Sequence, residues 1–173
     1  LGGPSGPYWI GWIAVGSCTF LGLAEDLRNN YLNPRFRLYA QLGIFAVTMG
    51  VWPLLIPTDF GVPILDFLMR LPLIGWLLSV IFCVGFVNSI NMADGANGLM
   101  AGVITIAFSL FYASTGQFVY AAMMTACAVF TIFNIISGRL FLGDAGTYGL
   151  GSSVVICSLY LFQENIFSAA FLA

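Results

Sequence analysis

Three short polar segments of an otherwise apolar chain carry the residue types that could do chemistry. The longest, residues 88–99 (N-S-I-N-M-A-D-G-A-N-G-L), places one aspartate, three asparagines and two glycines between two uncharged apolar runs. Residues 22–27 (G-L-A-E-D-L) and 141–146 (F-L-G-D-A-G) also combine acids with glycine. Desolvating carboxylates and amides costs free energy, so the three segments are candidates for one shared site.

The composition places these segments in a membrane protein. Hydrophobic residues make up 60% of the chain and charged residues only 7%, whereas a soluble domain carries about 25% charged residues. The mean hydropathy is +0.98. Exposing so much apolar surface to water would cause aggregation, so the chain is predicted to be an integral membrane protein. The net charge of −2, with no basic stripe, argues against nucleic-acid binding.

Histidine and cysteine chemistry contribute little to the prediction. The chain contains no histidine, which removes the commonest general base and metal ligand. Its four cysteines lie far apart in apolar runs, and no C-x-x-C spacing occurs. We therefore expect buried thiols rather than a disulfide or a thiolate metal site.

Six apolar stretches are predicted to cross the bilayer as helices, for which ~20 mostly apolar residues are typical. Helices are expected because an open sheet edge in lipid would leave backbone groups unpaired. We predict an all-α, polytopic membrane helix bundle that forms one integral-membrane domain over residues 1–173, with a short amphipathic turn at 64–69. The predicted spans are about 8–24, 38–56, 71–87, 99–114, 118–137 and 148–162.

Counting these spans puts the three polar segments at one membrane face. The loops after the first, third and fifth spans share a face, and their acids are Glu25, Asp26, Asp94 and Asp144. Arg70 lies at the other face, whereas the loops with the acids hold the remaining arginines, Arg28, Arg35, Arg37 and Arg139. Because basic residues mark the cytoplasmic side, we predict that the acids face the cytoplasm.

This arrangement of side chains favours phosphoryl chemistry on a lipid-borne substrate. Crowded carboxylates repel one another unless a cation joins them. Hard oxygen ligands with few protein contacts suit Mg²⁺, which shares its shell with phosphate and water, and the planar fork of arginine suits phosphate oxygens. The plainer alternative is a set of solvated acids that cap helices. It would explain a single Asp-Gly, but three acidic segments at one face favour a site.

The same three segments resemble motifs of the polyprenyl-phosphate N-acetylhexosamine-1-phosphate transferases (glycosyltransferase family 4). Residues 88–99 are similar to the family signature N-x-x-N-x-x-D-G-x-D/N-G-L, and G-D-A-G-T at 143–147 is similar to G-D-x-G-S/T. Residues 25–38 (E-D-L-R-N-N-Y-L-N-P-R-F-R-L) resemble the family's paired acids followed by basic residues. The resemblance covers essentially the whole chain. It implies the middle fragment of a longer, roughly ten-span enzyme, and we expect the fragment to be inactive by itself.

The resemblance implies an activity, a cofactor and partners. The family transfers a sugar-1-phosphate from a UDP-N-acetylhexosamine to undecaprenyl phosphate, a polyprenyl phosphate, and releases UMP. The expected location is the bacterial inner membrane, with the site facing the cytoplasm, in the first membrane step of a cell-envelope polysaccharide. The implied cofactor is Mg²⁺, with Mn²⁺ as the alternative. The expected partners are the UDP-sugar, the polyprenyl phosphate and the lipid bilayer, without nucleic acid, and a homodimer is left open.

Motif position also implies residue roles. Asp144 and Asn91 would be metal ligands, and Asp94 would organise the nucleotide–metal site. Asn88 and Asn97 would help to bind the nucleotide sugar.

The remaining roles concern the acceptor lipid. Glu25 and Asp26 would sit where the family's paired acids activate or orient the lipid phosphate, and Arg35 and Arg37 would hold phosphate. Two departures point to a variant subgroup: Glu25 replaces the first aspartate of the pair, and Asn97 replaces an aspartate that is common in bacterial members.

Two other classes of protein remain as alternatives. A membrane transporter can build acidic ion sites in broken helices. Such sites usually lie near mid-bilayer, whereas the polar breaks predicted here fall at span ends on one face. A non-catalytic membrane scaffold would leave the three acidic motifs without a purpose.

Overall fold

A computed structural model describes residues 8–27, 32–95, 97–138 and 140–167, and all regular structure in these ranges is helical. The predicted all-α fold is confirmed. A short 3₁₀ turn occupies Pro53–Leu55. The helices are α1 (Tyr8–Leu27), α2 (Pro34–Val51), α3 (Pro63–Arg70), α4 (Pro72–Ala93), α5 (Leu99–Thr115), α6 (Phe118–Ser137) and α7 (Gly143–Gln163).

The long helices make the chain a multi-pass membrane protein. Helices α1, α4, α6 and α7 are long and apolar enough to cross a membrane. Helix α5 has 17 residues, which span about 25 Å at 1.5 Å per residue. Helix α2 has 18 residues and includes Arg35 and Arg37 near its start. Each of the six predicted spans therefore corresponds to a helix, and α3 is the short amphipathic segment expected before α4.

The helices extend further at their polar ends than the hydropathy pattern predicts. Helix α1 continues to Leu27, so Glu25 and Asp26 lie in its last turn. Helix α4 continues to Ala93 instead of ending at residue 87, and α7 begins at Gly143 instead of residue 148. These predicted boundaries were wrong because hydropathy reports contact with lipid, whereas polar side chains that bond to one another keep the ends helical. Much of the predicted site therefore stands on helices.

Local sequence signals explain several helix ends. Asn33 caps α2, because its side-chain oxygen accepts from the backbone N–H of Arg35 at 3.0 Å. Gly116 and Gly138 follow α5 and α6 with φ of 66° and 59°, a left-handed conformation that glycine adopts without a Cβ clash.

Helix α7 lies at the centre of the bundle. In the apolar segment of α7 that could span the membrane, 67% of the residues are buried, compared with 17% in the corresponding segment of α6. One apolar cluster joins it to α1, α2 and α4, and a second joins it to α4, α5 and α6. Its buried hydroxyls at Ser152, Ser153 and Ser158 donate to carbonyls of the same helix. They therefore add no unsatisfied donor to an apolar environment.

Two glycines let α1 and α7 approach closely. A Cβ added to Gly22 would lie 2.2 Å from the carbonyl oxygen of Asp144. A Cβ added to Gly149 would lie 2.5 Å from the hydroxyl of Thr19. Small residues at such crossings allow backbones to touch. The close approach brings the acidic last turn of α1 against the first turn of α7.

The remaining acids, Asp59, Asp66 and Glu164, lie at the opposite end of the bundle from the three polar segments. Gln163, at the end of α7, donates from Nε2 to the carbonyl of Ile56. The rings of Phe60 and Phe162 stack with centroids 5.4 Å apart. Asp66 accepts from the backbone N–H of Phe60 at 2.7 Å. Asp59 and Glu164 adjoin these residues in the chain.

The crossing of α1 and α7 yields a testable prediction. Gly22→Ala should destabilise the full-length protein by about 1–3 kcal/mol, because the added methyl group forces the two backbones apart. Gly16→Ala is the matched control on the same helix, since a Cβ there meets nothing within 4 Å. Thermal unfolding in detergent measures both. Equal unfolding temperatures for the two variants would contradict the role assigned to Gly22.

Candidate active site

Asp26 joins the end of α1 to the beginning of α7. Its two carboxylate oxygens accept from the backbone N–H groups of Asp144 and Ala145, each at 2.9 Å. These N–H groups belong to the first turn of α7, where they lack partners within the helix. A negative charge is also favourable at a helix N-terminus. Asp26 therefore positions the segment that carries Asp144.

Arg37 bridges two acids from different helices. Its Nη1 lies 3.4 Å from Oε1 of Glu25 and 3.3 Å from Oδ2 of Asp144. Glu25 is 0% exposed, and its Oε2 accepts from the backbone N–H of Leu32 at 3.2 Å. A carboxylate buried in this way requires a counter-ion, and Arg37 supplies it. The two paired acids thus differ, since Glu25 is buried and Asp26 is exposed.

Thr147 connects the two predicted metal ligands. Its hydroxyl lies 2.6 Å from Oδ1 of Asn91 on α4 and 2.9 Å from the carbonyl of Gly143 on α7. Thr147 follows Asp144 by three residues, so both lie on the same face of α7. The structure therefore brings Asn91 and the Asp144 turn to one place. Sequence reasoning did not assign a role to Thr147, although it is the threonine of the G-D-A-G-T motif.

Asn88 lies one turn deeper on α4 than Asn91. Its amide nitrogen donates to the carbonyl of Val84 at 2.8 Å and also to Oε1 of Gln41 on α2. Gln41 is 0% exposed. Sequence reasoning missed it, and the available signal was an isolated amide in an apolar stretch, one turn after Arg37.

Asn134 on α6 bonds to both the loop before α5 and the loop after α6. Its side chain accepts from the backbone N–H of Gly98 and donates to the carbonyl of Leu140. It is buried, and no motif of the sequence analysis included it. Asn97 is exposed next to Gly98.

Asp94 ends α4 and faces the loop before α7. Burial raises the pKa of its carboxyl group above the usual range, while a hydrogen bond from the backbone of Leu142 acts in the opposite direction. The backbone of Leu142, in the loop before α7, is thus close to the Asp94 carboxyl group. Asp94 therefore lies beside the segment that leads into Asp144.

The arginines of the predicted basic group are placed differently from one another. Arg35 is exposed and Arg37 is half-buried. Arg37 is two residues after Arg35 on α2, so the two side chains point to different sides of the helix. Arg28 and Arg139 lie outside the described residues.

The donor set suits a hard divalent cation held by few protein ligands. Asp144, Asn91 and Asp94 offer carboxylate and amide oxygens, which Mg²⁺ prefers, and Mg²⁺ keeps several waters or substrate phosphates in its shell. The part of the chain that the structure describes contains no group of three or more His, Cys, Asp or Glu side chains that could hold a metal. These oxygen donors fit a cation whose coordination shell is completed by water or substrate.

The fold and site define a multi-pass helical membrane protein with a polar cluster at one end of the bundle. Residues 8–162 match the family model for glycosyl transferase family 4, so the chain belongs to that family, as its motifs predicted.

Curated relatives support this assignment. A phospho-N-acetylmuramoyl-pentapeptide-transferase of Synechococcus sp. is 31% identical over 186 residues, covering 94% of this chain and 52% of the relative. The enzyme of that name in Synechocystis sp. is 30% identical, covering 95% of this chain and 48% of the relative. The one in Clostridioides difficile is 32% identical, covering 87% and 52%. The chain thus spans about half the length of these relatives.

The ion cluster yields a second prediction. Arg37→Gln should lower the free energy of unfolding of the full-length protein by about 3–5 kcal/mol, because it leaves the Glu25 carboxylate buried without its cation. Arg35→Gln, on the exposed side of the same turn, should change stability little. The double variant Glu25→Gln/Arg37→Gln should recover part of the loss. Denaturant unfolding in detergent measures all three, and similar values for the two single arginine variants would refute the bridging role.

Proposed function

We propose that the chain forms the central part of a membrane enzyme that transfers a sugar-1-phosphate from a UDP-N-acetylhexosamine to undecaprenyl phosphate and releases UMP. The observation that carries this proposal is the convergence of Asp26, Arg37, Asn91 and Asp144 at one end of an apolar bundle. The family and the names of the relatives support it. The product would begin a bacterial cell-envelope polysaccharide.

The proposed reaction brings two phosphate-bearing substrates together. A new bond forms between an oxygen of the lipid phosphate and the phosphorus that carries the sugar, and the bond from that phosphorus to the UMP oxygen breaks. Mg²⁺, with Mn²⁺ as the alternative, would be held by Asp144 and Asn91, and when bound it neutralises diphosphate charge. Asp94 would organise the nucleotide–metal site, and Asn88 and Asn97 would bind the nucleotide sugar.

The paired acids are proposed to divide the work on the acceptor lipid. Asp26 is exposed at the end of the bundle, so its carboxylate can meet the lipid phosphate and keep it ionised. Glu25 is buried against Arg37, so it would act by holding that guanidinium in place. Arg35 is exposed on the same helix and is proposed to attract the phosphate, since arginine pairs well with phosphate oxygens.

The proposed site faces the cytoplasm of a bacterial inner membrane. Arg35 and Arg37 lie at the end of the bundle that holds the site, whereas Arg70 lies at the opposite end, as the last residue of α3. This distribution agrees with the positive-inside rule.

The transporter alternative has less support. It requires discontinuous helices near mid-bilayer. Helices α4 and α7, which carry Asn88, Asn91 and Asp144, run without interruption for 22 and 21 residues.

Replacing Asp144 tests the proposed activity. In the full-length protein, Asp144→Asn should lower Mg²⁺-dependent release of UMP by roughly 100-fold or more, since the variant loses the anionic ligand proposed to hold the Mg²⁺ that neutralises the diphosphate. Membrane insertion and folding should persist, because Asn retains the size of the side chain. Asp59→Asn is the matched control, since Asp59 is an exposed acid at the opposite end of the bundle. Unchanged transfer in the Asp144 variant would overturn the proposal.

A further inference from the structure

Gln41 is a fully buried polar side chain in the middle of α2, and it belongs to none of the motifs. It follows Arg37 by four residues, so both lie on the same face of α2. Its Oε1 accepts from Asn88, whereas its Nε2 is buried and has no hydrogen-bond partner among the described residues. An unsatisfied buried donor opposes folding, so stability alone does not account for a glutamine here.

The backbone of α4 determines how the two amides are oriented. The carbonyl of Val84 can only accept a hydrogen bond, so the Asn88 atom 2.8 Å from it must be the NH₂ group. The same NH₂ group faces Gln41, and the facing Gln41 atom must therefore be its oxygen. Rotating either amide by half a turn would place two acceptors or two donors against each other. The assignment thus follows from the donors and acceptors present.

This orientation decides what Asn88 can offer to a ligand. Its NH₂ group is engaged within the protein, so Oδ1 is the atom that remains for a ligand. Asn88 is half-buried and precedes Asn91 by three residues, on the face of α4 that bonds to Thr147. An amide oxygen accepts hydrogen bonds, so it binds a donor group and is unfavourable beside a phosphate oxygen, which is also an acceptor.

We infer that Gln41 is a positioning residue that holds the Asn88 carboxamide so that its oxygen receives an O–H or N–H donor of the nucleotide sugar. The inference rests on the proposed function for the identity of the ligand. It assigns Asn88 to the uncharged, donor-bearing part of the nucleotide sugar instead of its diphosphate. Replacing the Gln41 side chain should therefore weaken binding of the nucleotide sugar without unfolding the bundle.

The test compares variants of Gln41 in the full-length protein. Gln41→Met removes the acceptor and should raise the KM for UDP-N-acetylglucosamine roughly tenfold, the effect expected for one misdirected hydrogen bond. The kcat should fall less, and the Mg²⁺ concentration that gives half-maximal activity should not move. The unfolding temperature should change little, because the variant loses the unpaired Nε2 donor of Gln41 while it leaves one N–H of Asn88 unpaired. Gln41→Glu keeps an oxygen at the accepting position and should stay near the wild-type KM.

Thr48→Val is the matched control. Thr48 is another buried polar residue of α2, and among the described residues its hydroxyl bonds to the carbonyl of Ile44 in its own helix, so this variant should leave the KM unchanged. An unchanged KM in Gln41→Met would overturn the inference, as would an equal rise in Thr48→Val. A shift confined to the Mg²⁺ dependence would assign the oxygen of Asn88 to the cation and contradict the inference.

A binding measurement separates this inference from the proposed function. Protection of the protein from thermal unfolding by UDP-N-acetylglucosamine reports affinity without turnover. Suppose that the wild-type protein releases no UMP, while Gln41→Met binds the sugar nucleotide more weakly than wild type does. That result would support the positioning role and refute the transferase. If UMP is released and the Gln41→Met variant binds as tightly as wild type, the inference fails and the transferase stands.

Discussion

The bridge from Arg37 to Glu25 and Asp144 is the interaction on which the rest of the site depends. Glu25 is buried in the last turn of a membrane helix, where a lone carboxylate would be strongly unfavourable. The guanidinium of Arg37 satisfies it from the first turns of α2 and reaches Asp144 at the beginning of α7. One cation thereby fixes the relative positions of three helix ends. The geometry requires α1 and α7 to touch, and Gly22 makes that contact possible.

The residues of the site lie at helix ends, and hydrogen bonds from side chains hold the adjoining loops against these helix ends. Asp26 holds the first amides of α7, Thr147 connects α7 to Asn91 on α4, and Gln41 connects α2 to Asn88. Side chains on packed helices are held more precisely than side chains on loops. Because α7 is surrounded by the other helices, the residues at its first turn have little freedom to move. This rigidity suits a reaction in which two negatively charged substrates must be held in one geometry.

Much of this arrangement could be predicted from the sequence. Hydropathy predicted an all-α membrane bundle, and span counting placed Asp26, Asp94 and Asp144 at one end because each crossing reverses the chain direction. The motifs predicted the family, which is confirmed. The cytoplasmic orientation, the metal and the residue roles stay predictions.

The contacts themselves could not be predicted, because they depend on which helices are neighbours. Arg37 and Asp144 are 107 residues apart in sequence, and a single sequence does not show that they meet. Gln41 and Asn134 stand alone in apolar stretches, where one amide gives no indication of its partner. The helix ends were misplaced for the same reason, since polar residues that pair across helices resemble loop residues in a hydropathy profile.

The most direct measurement of the central claim is UMP release by membranes that contain the full-length protein. Each of a panel of UDP-N-acetylhexosamines is supplied with undecaprenyl phosphate and Mg²⁺, and lipid-linked sugar phosphate is quantified beside UMP. At least one sugar nucleotide should give equal amounts of the two products, and omitting undecaprenyl phosphate or Mg²⁺ should abolish both. Failure to form either product from any sugar nucleotide, in membranes where the protein is folded, would contradict the transferase.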